Sequence, residues 1–357
     1  MTANAILAKL AAGSERFGLE ARDFPATFSS ILLTPRFRAS RHVVLLLFPP
    51  GSSEPTHVAK IPRLAGDTTG IEREHALLTA TQAARESGYA TIPRVVAYEE
   101  AHDRAILVES ALVGLPLTPE RVRRNPSTSI DSVLSWLAEL PSAEPGAGDD
   151  RYTRLLEEPL RRFGSVLGGG EAQLVGRTLE LLEPLRGASL PTVVEHGDLS
   201  HPNLLILGTG DIGVVDWELG ESHGLPAHDL FFFLNYVAAA RSRASTPNAR
   251  LRVFHDAVIQ PTGWAREIVT RYAERMDVDR RYLTPLLVAC WSRYTAGLLE
   301  RLLGSPGART RPDGEAPSAR DYSPASADVA RLLRSDRHYA LWSHTVAHAK
   351  ESTWADA

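Results

Sequence analysis

The chain has 357 residues, of which 43% are hydrophobic and 23% charged, and its formal net charge at pH 7 is −4. This length and composition predict a soluble globular protein with two lobes rather than one small core. The charge gives no reason to expect a nucleic-acid partner, and the apolar runs are too short to span a membrane. The single cysteine, Cys290, excludes an intramolecular disulfide, which favours a reducing, cytoplasmic location.

The N-terminal third is predicted to contain three strands followed by one helix. The strands cover residues 28–33, 42–48 and 57–61, and turns rich in proline, glycine and serine separate them. Asp67-Thr68-Thr69 is a helix-start signal, and the apolar spacing predicts a helix that ends near Ser87-Gly88. The third strand carries Lys60, which either points to solvent or reaches the phosphates of a nucleotide as a flexible point charge.

A second hairpin is predicted from residues 95–99 and 105–109, and beyond it the pattern becomes helical. Residues 304–326 have no apolar period and are rich in proline, serine and glycine, which predicts a mobile insertion. The change from strand patterns to helix patterns predicts an N-lobe over 1–112 and a helical C-lobe over 113–357. Further helices are expected near residues 130–140, 155–167, 172–183, 227–236, 250–258, 262–275, 281–303 and 326–349.

The most informative stretch is a hairpin in the middle of the chain. Leu204 to Leu207 and Ile212 to Val215 are apolar, and Gly208-Thr209-Gly210-Asp211 between them predicts a tight turn. Because the open ends of an antiparallel hairpin meet, Asn203 and Asp216 are expected to lie close together.

The polar residues around this hairpin point to a particular chemistry. A carboxamide and a carboxylate side by side, here Asn203 and Asp216, supply oxygen ligands for Mg²⁺, which usually also takes oxygens from nucleotide phosphates. Asp198 precedes Asn203 by five residues and can accept a proton from an incoming hydroxyl group. Phosphoryl transfer needs this division between one base and a set of metal ligands. The alternative is a polar turn whose Asp and Asn side chains bond their own backbone.

The residues His-Gly-Asp-Leu-Ser-His-Pro-Asn at 196–203, followed by Val-Val-Asp-Trp-Glu at 214–218, resemble the aminoglycoside phosphotransferase and choline kinase family. That family is a branch of the protein-kinase-like fold. The resemblance therefore implies an α+β structure of two lobes. The N-lobe would be an antiparallel sheet with one helix, and the mainly helical C-lobe would contain the catalytic hairpin and the acceptor site.

The resemblance also implies roles for single residues. Asp198 would be the catalytic aspartate, and His196 would brace the catalytic loop. Asn203 and Asp216 would hold Mg²⁺. Asp229 resembles a family aspartate that bonds the catalytic loop, although a carboxylate at the start of a helix can equally be stabilised by the helix dipole.

In the N-lobe the resemblance implies that a glutamate pairs with Lys60 and orients it. Glu74, 14 residues later, fits this role; Glu72 and an ordinary exposed ion pair remain alternatives. The stretch from Glu109 to Ala111 would be the hinge whose backbone bonds the nucleotide base, although a plain edge strand is equally consistent. The first turn, residues 35–40, contains no glycine, so a glycine-rich loop over the phosphates is not visible.

Together these observations predict a kinase that transfers the γ-phosphoryl group of ATP or GTP to a hydroxyl group of a small molecule. The acceptor would be antibiotic-like, a sugar or an amino alcohol, and Glu218 and Glu221 near the site favour a cationic one. The alternative function is a pseudokinase module that binds nucleotide without turnover, and the missing glycine loop is the feature in its favour.

Overall fold

The computed structural model describes residues 29–33, 42–63, 66–101, 104–143, 150–303 and 323–354. Two single π-helical turns, Thr153–Glu157 and His255–Ile259, and two 3₁₀ turns, Glu183–Leu185 and Arg280–Tyr282, accompany the longer elements. The strands are β1 (Ser29–Leu33), β2 (His42–Phe48), β3 (His57–Pro62), β4 (Val95–Ala101), β5 (Arg104–Ser110), β6 (Gly114–Pro116), β7 (Ser142–Ala143), β8 (Thr192–Glu195), β9 (Leu204–Leu207), β10 (Ile212–Val214) and β11 (Glu221–Gly224). The helices are α1 (Thr69–Ala83), α2 (Pro119–Arg124), α3 (Pro126–Glu139), α4 (Glu158–Leu167), α5 (Gly169–Leu182), α6 (His228–Arg241), α7 (Pro247–Phe254), α8 (Ala265–Arg275), α9 (Leu283–Leu303), α10 (Ser323–Arg334) and α11 (Arg337–Ala347).

The described residues form two compact units that are interleaved along the chain. The first unit contains the described residues up to Pro116 together with Leu204–Gly220, and the second contains Leu117–Asn203, Glu221–Leu303 and the C-terminal helices. The hairpin β9–β10, which the sequence assigned to the C-lobe, therefore makes its contacts within the first unit. The boundary expected at residue 112 stays a prediction. No helix in the described ranges is both long and apolar enough to cross a membrane.

The first unit is built on an antiparallel sheet with the strand order β1-β2-β3-β5-β4. Because side chains alternate along a strand, the two faces of this sheet carry different clusters. Ala59 and Val108 belong to the core on one face, whereas Leu107 packs against Ile71 of α1 on the other. Lys60 lies opposite Leu107 in the register of β3 and β5, so it faces the side on which α1 packs.

The predicted hairpin is present in the first unit and belongs to a small sheet. Leu204 pairs with Val214, and the strand order is β10-β9-β6. Val214 N also donates to Thr91 O at 2.9 Å, which fixes the end of β10 to the segment that follows α1. The sequence predicted the hairpin from local signals, but it gave no sign of β6.

Helix α1 ends at Ala83, earlier than the Ser87-Gly88 end that the sequence predicted. The reason is the Gln82 side chain, which folds the following residues back onto the helix. Its Nε2 donates to the carbonyl groups of Tyr89 and Ile92, and its Oε1 accepts from Tyr89 N at 2.7 Å. These side-chain bonds replace the backbone bonds that a longer helix would make.

The second unit is mainly helical and has an aromatic core. The three consecutive phenylalanines of α6 are buried, and Phe232 packs against Trp291 with ring centroids 5.0 Å apart. The sequence from Gly220 to Pro226 predicts a loop, but β11 lies there and pairs with β8. The loop prediction was wrong because this strand is held by backbone bonds and its sequence, Glu-Ser-His-Gly, has no apolar alternation.

The C-terminal region contains two helices instead of the single helix predicted over residues 326–349. Asp336 separates them because its side chain accepts from His338 N at 2.7 Å and so begins a new helix. The insertion predicted over 304–326 lies outside the described residues up to 322, and its last residues belong to α10. The turn at 35–40 also lies outside them.

Candidate active site

Lys60 is the centre of a buried charged cluster in the first unit. Its Nζ lies 2.5 Å from Glu74 Oε1, 3.3 Å from Asp216 Oδ1 and 3.5 Å from Glu109 Oε1. Only 3% of the Lys60 side chain is exposed, so the solvent-facing alternative is wrong. Burial acts to lower the pKa of Lys60, but the three surrounding carboxyl groups raise it well above its usual value. Lys60 is therefore a fixed positive charge.

Glu74 connects Lys60 to the segment that contains Asp216. The same Oε1 that binds Lys60 accepts a hydrogen bond from Trp217 N at 2.7 Å. Since Trp217 directly follows Asp216, α1 holds both the lysine and the backbone beside this aspartate. Glu72 instead accepts from the hydroxyl of Thr68 at the start of α1. The expected lysine–glutamate pair is thus present, and Glu74 forms it.

Glu109 contributes its side chain to the cluster, while its backbone lies inside the sheet. It is paired with Val58 on one side and with Val95 on the other. Burial raises the pKa of Glu109 to about 8; the pull of Lys60 opposes this shift, and the nearby Glu74 and Asp216 charges add to it. Burial thus favours the protonated form of Glu109, and the charge of Lys60 favours the ionised form.

Ala111 lies at the end of the stretch that the sequence predicted to be the hinge. Its N–H donates to Thr56 O at 2.9 Å, so this donor is used within the first unit. A contact between this residue and a nucleotide base would have to use its carbonyl group while that bond is present. The roles of Glu109 and Ala111 toward a nucleotide stay predictions.

Asp216 has an unusual backbone conformation and an accessible carboxylate. Its φ of 72° lies in the left-handed region, which aspartate tolerates better than most residues. The side chain is 38% exposed, although Oδ1 contacts both Lys60 and His42. Left-handed backbone in a non-glycine residue is often retained where a site needs it.

His42 is a functional candidate that the sequence reasoning missed. Its Nε2 lies 3.4 Å from Asp216 Oδ1, and its Nδ1 lies 2.9 Å from Glu218 Oε2. Burial alone would lower the pKa of His42, but these two carboxylates outweigh it and raise the pKa to about 10. A single sequence does not distinguish a site histidine from an ordinary histidine at the start of a strand, so only the tertiary contacts identify His42 as a cation of this cluster.

The edge of the cluster at Asp216 offers oxygen ligands for a divalent cation. The cluster contains two cations, Lys60 and His42, and four acidic side chains, those of Glu74, Glu109, Asp216 and Glu218. Burial raises the pKa of both Glu74 and Glu109. The partly exposed oxygens of Asp216 are the hard ligands that Mg²⁺ prefers. The imidazole of His42 is protonated and is not a metal ligand in this state.

In the second unit, the loop with Asp198 is held by bonds among its own residues. Asp198 N donates to His196 Nδ1 at 3.2 Å, and Asn203 Nδ2 donates to Asp198 O at 3.0 Å. The amide nitrogen of Asn203 is therefore used inside the loop, which leaves its Oδ1 as the atom suited to a hard cation. These contacts are also those of a self-bonded polar turn, so they do not by themselves assign a function.

Asp229, at the start of α6, bonds the backbone of this loop. Its carboxylate accepts from His196 N at 2.7 Å and from Gly197 N at 2.9 Å, which is the arrangement that the resemblance implied. Burial and the nearby Glu195 charge raise the pKa of Asp229 to about 7, while the two amide bonds act to lower it. Glu195 in turn binds Arg293 through both oxygens, at 2.8 and 2.5 Å. The sequence reasoning did not identify Arg293.

A cavity of about 260 Å³ lies beside this loop within the second unit. Ser200 is part of its wall, and Ser200 Oγ donates to Asp198 Oδ1 at 3.1 Å. No acidic residue belongs to the described wall, whereas four arginines do: Arg123, Arg243, Arg250 and Arg337. Arg123 pairs with Glu120 at 2.7 Å. The aromatic side chains in the wall are Phe232 and Tyr236.

The sequence over residues 41–268 matches the family model described as the phosphotransferase enzyme family. This region is more than half of the chain and runs from before Lys60 to beyond Asp229. The chain therefore belongs to the phosphotransferase enzyme family. It is a phosphotransferase, as the sequence predicted. A search of curated proteins finds no significant match.

Several solved structures are similar to this chain. An ethanolamine kinase from Plasmodium vivax is 10% identical with a TM-score of 0.51, over 92% of this chain and 88% of that one. A choline/ethanolamine kinase family protein from Mesorhizobium loti is 16% identical with a TM-score of 0.47, over 97% and 99%. An aminoglycoside phosphotransferase from Streptomyces rimosus is 18% identical with a TM-score of 0.46, over 83% and 97%. The predicted protein-kinase-like α+β class is confirmed.

Proposed function

We propose that the protein transfers the γ-phosphoryl group of ATP or GTP to a hydroxyl group of a small molecule. The observation that supports this best is the buried ion pair of Lys60 and Glu74 beside Asp216, at 2.5 and 3.3 Å. Burying one lysine with several carboxyl groups carries a large desolvation cost, and buried clusters of this kind are concentrated at functional sites. In a phosphotransferase, such a lysine steadies the phosphate oxygens of the nucleotide.

In the proposed reaction, the acceptor oxygen forms a bond to the γ-phosphorus while the bond from that phosphorus to the β–γ bridging oxygen breaks. The nucleoside diphosphate leaves, and the hydroxyl proton goes to a carboxylate oxygen of Asp198. Asn203 and Asp216 would hold Mg²⁺, which when bound supplies positive charge against that of the phosphates. The contribution of the chain is mainly positioning and charge stabilisation.

We further propose that the acceptor binds in the arginine-lined cavity beside Ser200. In the part of the chain that the structure describes, no carboxylate forms an ion pair with Arg243 or Arg250, while Asp336 interacts with the charge of Arg337. Burial lowers the pKa of Arg250, and the nearby charge of Arg337 lowers it further. Guanidinium groups suit phosphate and carboxylate groups, and they repel a polycation. This cavity favours a hydroxylated acceptor that also carries a negative charge.

The carboxylates that favoured a cationic acceptor in the sequence are already paired. Glu218 lies 2.9 Å from His42, and Glu221 lies 2.7 Å from Arg154. Their charges are therefore largely balanced by neighbours in the same unit. A sugar phosphate or a hydroxy acid fits the cavity charge better than an aminoglycoside, which carries several ammonium groups.

The first test is a nucleotide-consumption assay with Mg²⁺ and ATP or GTP, in which mass spectrometry detects the products. The panel contains sugar phosphates, hydroxy acids, neutral sugars, amino alcohols and aminoglycosides. We expect a product that is heavier by one phosphoryl group with an anionic member of the panel. The Asp198→Ala variant should lose this product and keep its nucleotide affinity, because the proton acceptor is gone while Lys60 is intact.

Different outcomes separate the parts of the proposal. A product formed only with cationic acceptors would contradict the cavity assignment and leave the kinase function in place. An Asp198→Ala variant that still turns over would contradict the role of Asp198. For an anionic acceptor, Arg337→Gln should raise KM about 10- to 100-fold, as expected for a lost charged hydrogen bond. Arg177→Gln, on an exposed part of α5, is the matched control and should leave KM unchanged.

A further inference from the structure

Three histidine side chains meet in the second unit, apart from the residues to which the proposed function assigns roles. His344 and His348 lie one helical turn apart at the end of α11, and His255 begins the π-helical turn that follows α7. One nitrogen from each ring lies within 4.8 Å of the other two. The closest pair, His344 Nε2 and His255 Nδ1, is 3.0 Å apart.

Neighbouring polar groups orient two of these rings. Glu351 Oε1 lies 2.8 Å from His348 Nδ1, which leaves His348 Nε2 as the nitrogen with a free lone pair. The side-chain amide nitrogen of Gln260 lies 2.7 Å from His255 Nε2 and donates to it, while His255 Nδ1 faces His344. Metal binding through His255 Nδ1 therefore requires the Gln260 amide to turn and present its oxygen to His255 Nε2. Histidines that bind a metal almost always donate the N–H of their second nitrogen to an outer acceptor, as His348 Nδ1 can to Glu351.

We infer that His255, His344 and His348 form a binding site for a transition-metal ion of the Zn²⁺ class. Neutral imidazole nitrogens suit Zn²⁺, and three protein ligands with an open fourth position make a well-known coordination set. Without an ion, a single proton must lie between His344 Nε2 and His255 Nδ1, and the metal would take its place. The His255 and His348 side chains are 16% and 33% exposed, so an ion can enter from solvent.

The position of this site suggests a structural effect. The metal would join the end of α11 to the turn that follows α7. The same two helices contribute Arg250, Leu251, Arg337 and Leu341 to the wall of the arginine-lined cavity. Metal binding would therefore hold two walls of that cavity together. The site itself does not depend on the function proposed for the cavity.

The test uses the full-length chain after removal of metals with a chelator. Zn²⁺ alone is titrated in competition with a chromophoric chelator, and we expect one ion per chain. His344→Gln and His348→Gln should weaken binding by more than the roughly 10- to 100-fold that an outer partner is worth, and Glu351→Gln should weaken it by about that amount. His223→Gln, an exposed histidine in the same unit, is the matched control and should bind like the wild type.

Hydrogen exchange supplies a second readout that does not require activity. Zn²⁺ should slow amide exchange in residues 247–259 and 337–350 of the wild type, and it should have no effect on the His344→Gln variant. The inference is overturned if the wild type binds no Zn²⁺, or if the histidine variants bind as tightly as the wild type. If a histidine variant does not fold, the Zn²⁺ affinity of Glu351→Gln tests the inference instead. The Glu351 side chain is 49% exposed, so its replacement leaves the packing intact.

Discussion

At the scale of single residues, the buried cluster around Lys60 depends on each charge having a partner. Glu74 is fully buried, and its Oε1 binds both Lys60 Nζ and Trp217 N. In such a place the charges are costly to remove from water, and their mutual attraction offsets that cost. Loss of one member therefore leaves an uncompensated buried charge, which is more damaging than the loss of a surface pair.

Glu74→Gln tests this dependence, with Glu72→Gln as its matched control on the same helix. We expect Glu74→Gln to lower the free energy of unfolding by about 3 kcal/mol. It should also weaken nucleotide binding, because Lys60 loses its closest partner. Glu72→Gln should change the free energy by at most about 0.5 kcal/mol. Urea unfolding and nucleotide titration measure both quantities, and equal effects of the two variants would contradict the assignment of Glu74.

His42 provides a pH-dependent test, because its folded-state pKa of about 10 exceeds the ordinary value of 6.5. The folded protein binds the His42 proton more tightly than the unfolded chain does. The stabilisation is therefore complete below pH 6.5, declines between pH 6.5 and about 10, and is absent above that. The difference in unfolding midpoint between the wild type and His42→Gln should shrink over this window.

The measurement for His42 is urea unfolding at several pH values from 6 to 10.5. His57→Gln, which changes a histidine on the neighbouring strand β3, is the control. Its difference in unfolding midpoint from the wild type should not shrink between pH 6.5 and about 10 in the way expected for His42→Gln. If the difference in unfolding midpoint between the wild type and His42→Gln stays constant over this pH range, then His42 is not held as a cation by Asp216 and Glu218.

At the scale of elements, strand alternation explains how Lys60 reaches its partners. Ala59 belongs to one face of the sheet, and Lys60 therefore belongs to the other, where Leu107 and Ile71 pack. The sequence predicted the strand and the helix α1. It could not decide which face of β3 the helix would cover, because Lys60 is a polar residue that usually marks solvent.

The start of α6 is a second element that positions residues of the candidate site, because Asp229 bonds the backbone of the loop that contains Asp198. Asp229→Asn should lower kcat by about 10- to 100-fold with little change in nucleotide KM, because the amide group has one acceptor oxygen for the two N–H groups of the loop. Steady-state kinetics with the acceptor found in the panel measures kcat and the KM for nucleotide separately. Asp131→Asn, an exposed partner of Arg271, is the control. A change in nucleotide KM alone would contradict a positioning role.

At the scale of the whole molecule, the candidate catalytic residues are divided between two compact units. Lys60, Glu74 and Asp216 lie in the first, and Asp198 and Asn203 lie in the second. The chain returns to the first unit for β9 and β10, and this return brings Asp216 to Lys60. The expected proximity of Asn203 and Asp216 stays a prediction.

The sequence by itself predicted the family, the α+β class and the hairpin at 204–214, and it proposed Asp198, Asn203 and Asp216 as site residues. These follow from local spacing, from turn chemistry and from a motif whose residues are close in the chain. The sequence also proposed that Lys60 pairs with Glu74, with Glu72 as the alternative, because a strand and the next helix are near neighbours in sequence.

Only the tertiary structure decided the remaining contacts. His42 is far from Asp216 in the chain, Glu195 is far from Arg293, and His255 is far from His344 and His348. Their contacts depend on packing that no local pattern encodes. Burial acts on the charge states in the same way, since the pKa of Glu109 is raised to about 8 chiefly by its burial. The sequence gives the type of each residue, whereas its burial and the charges around it depend on the fold.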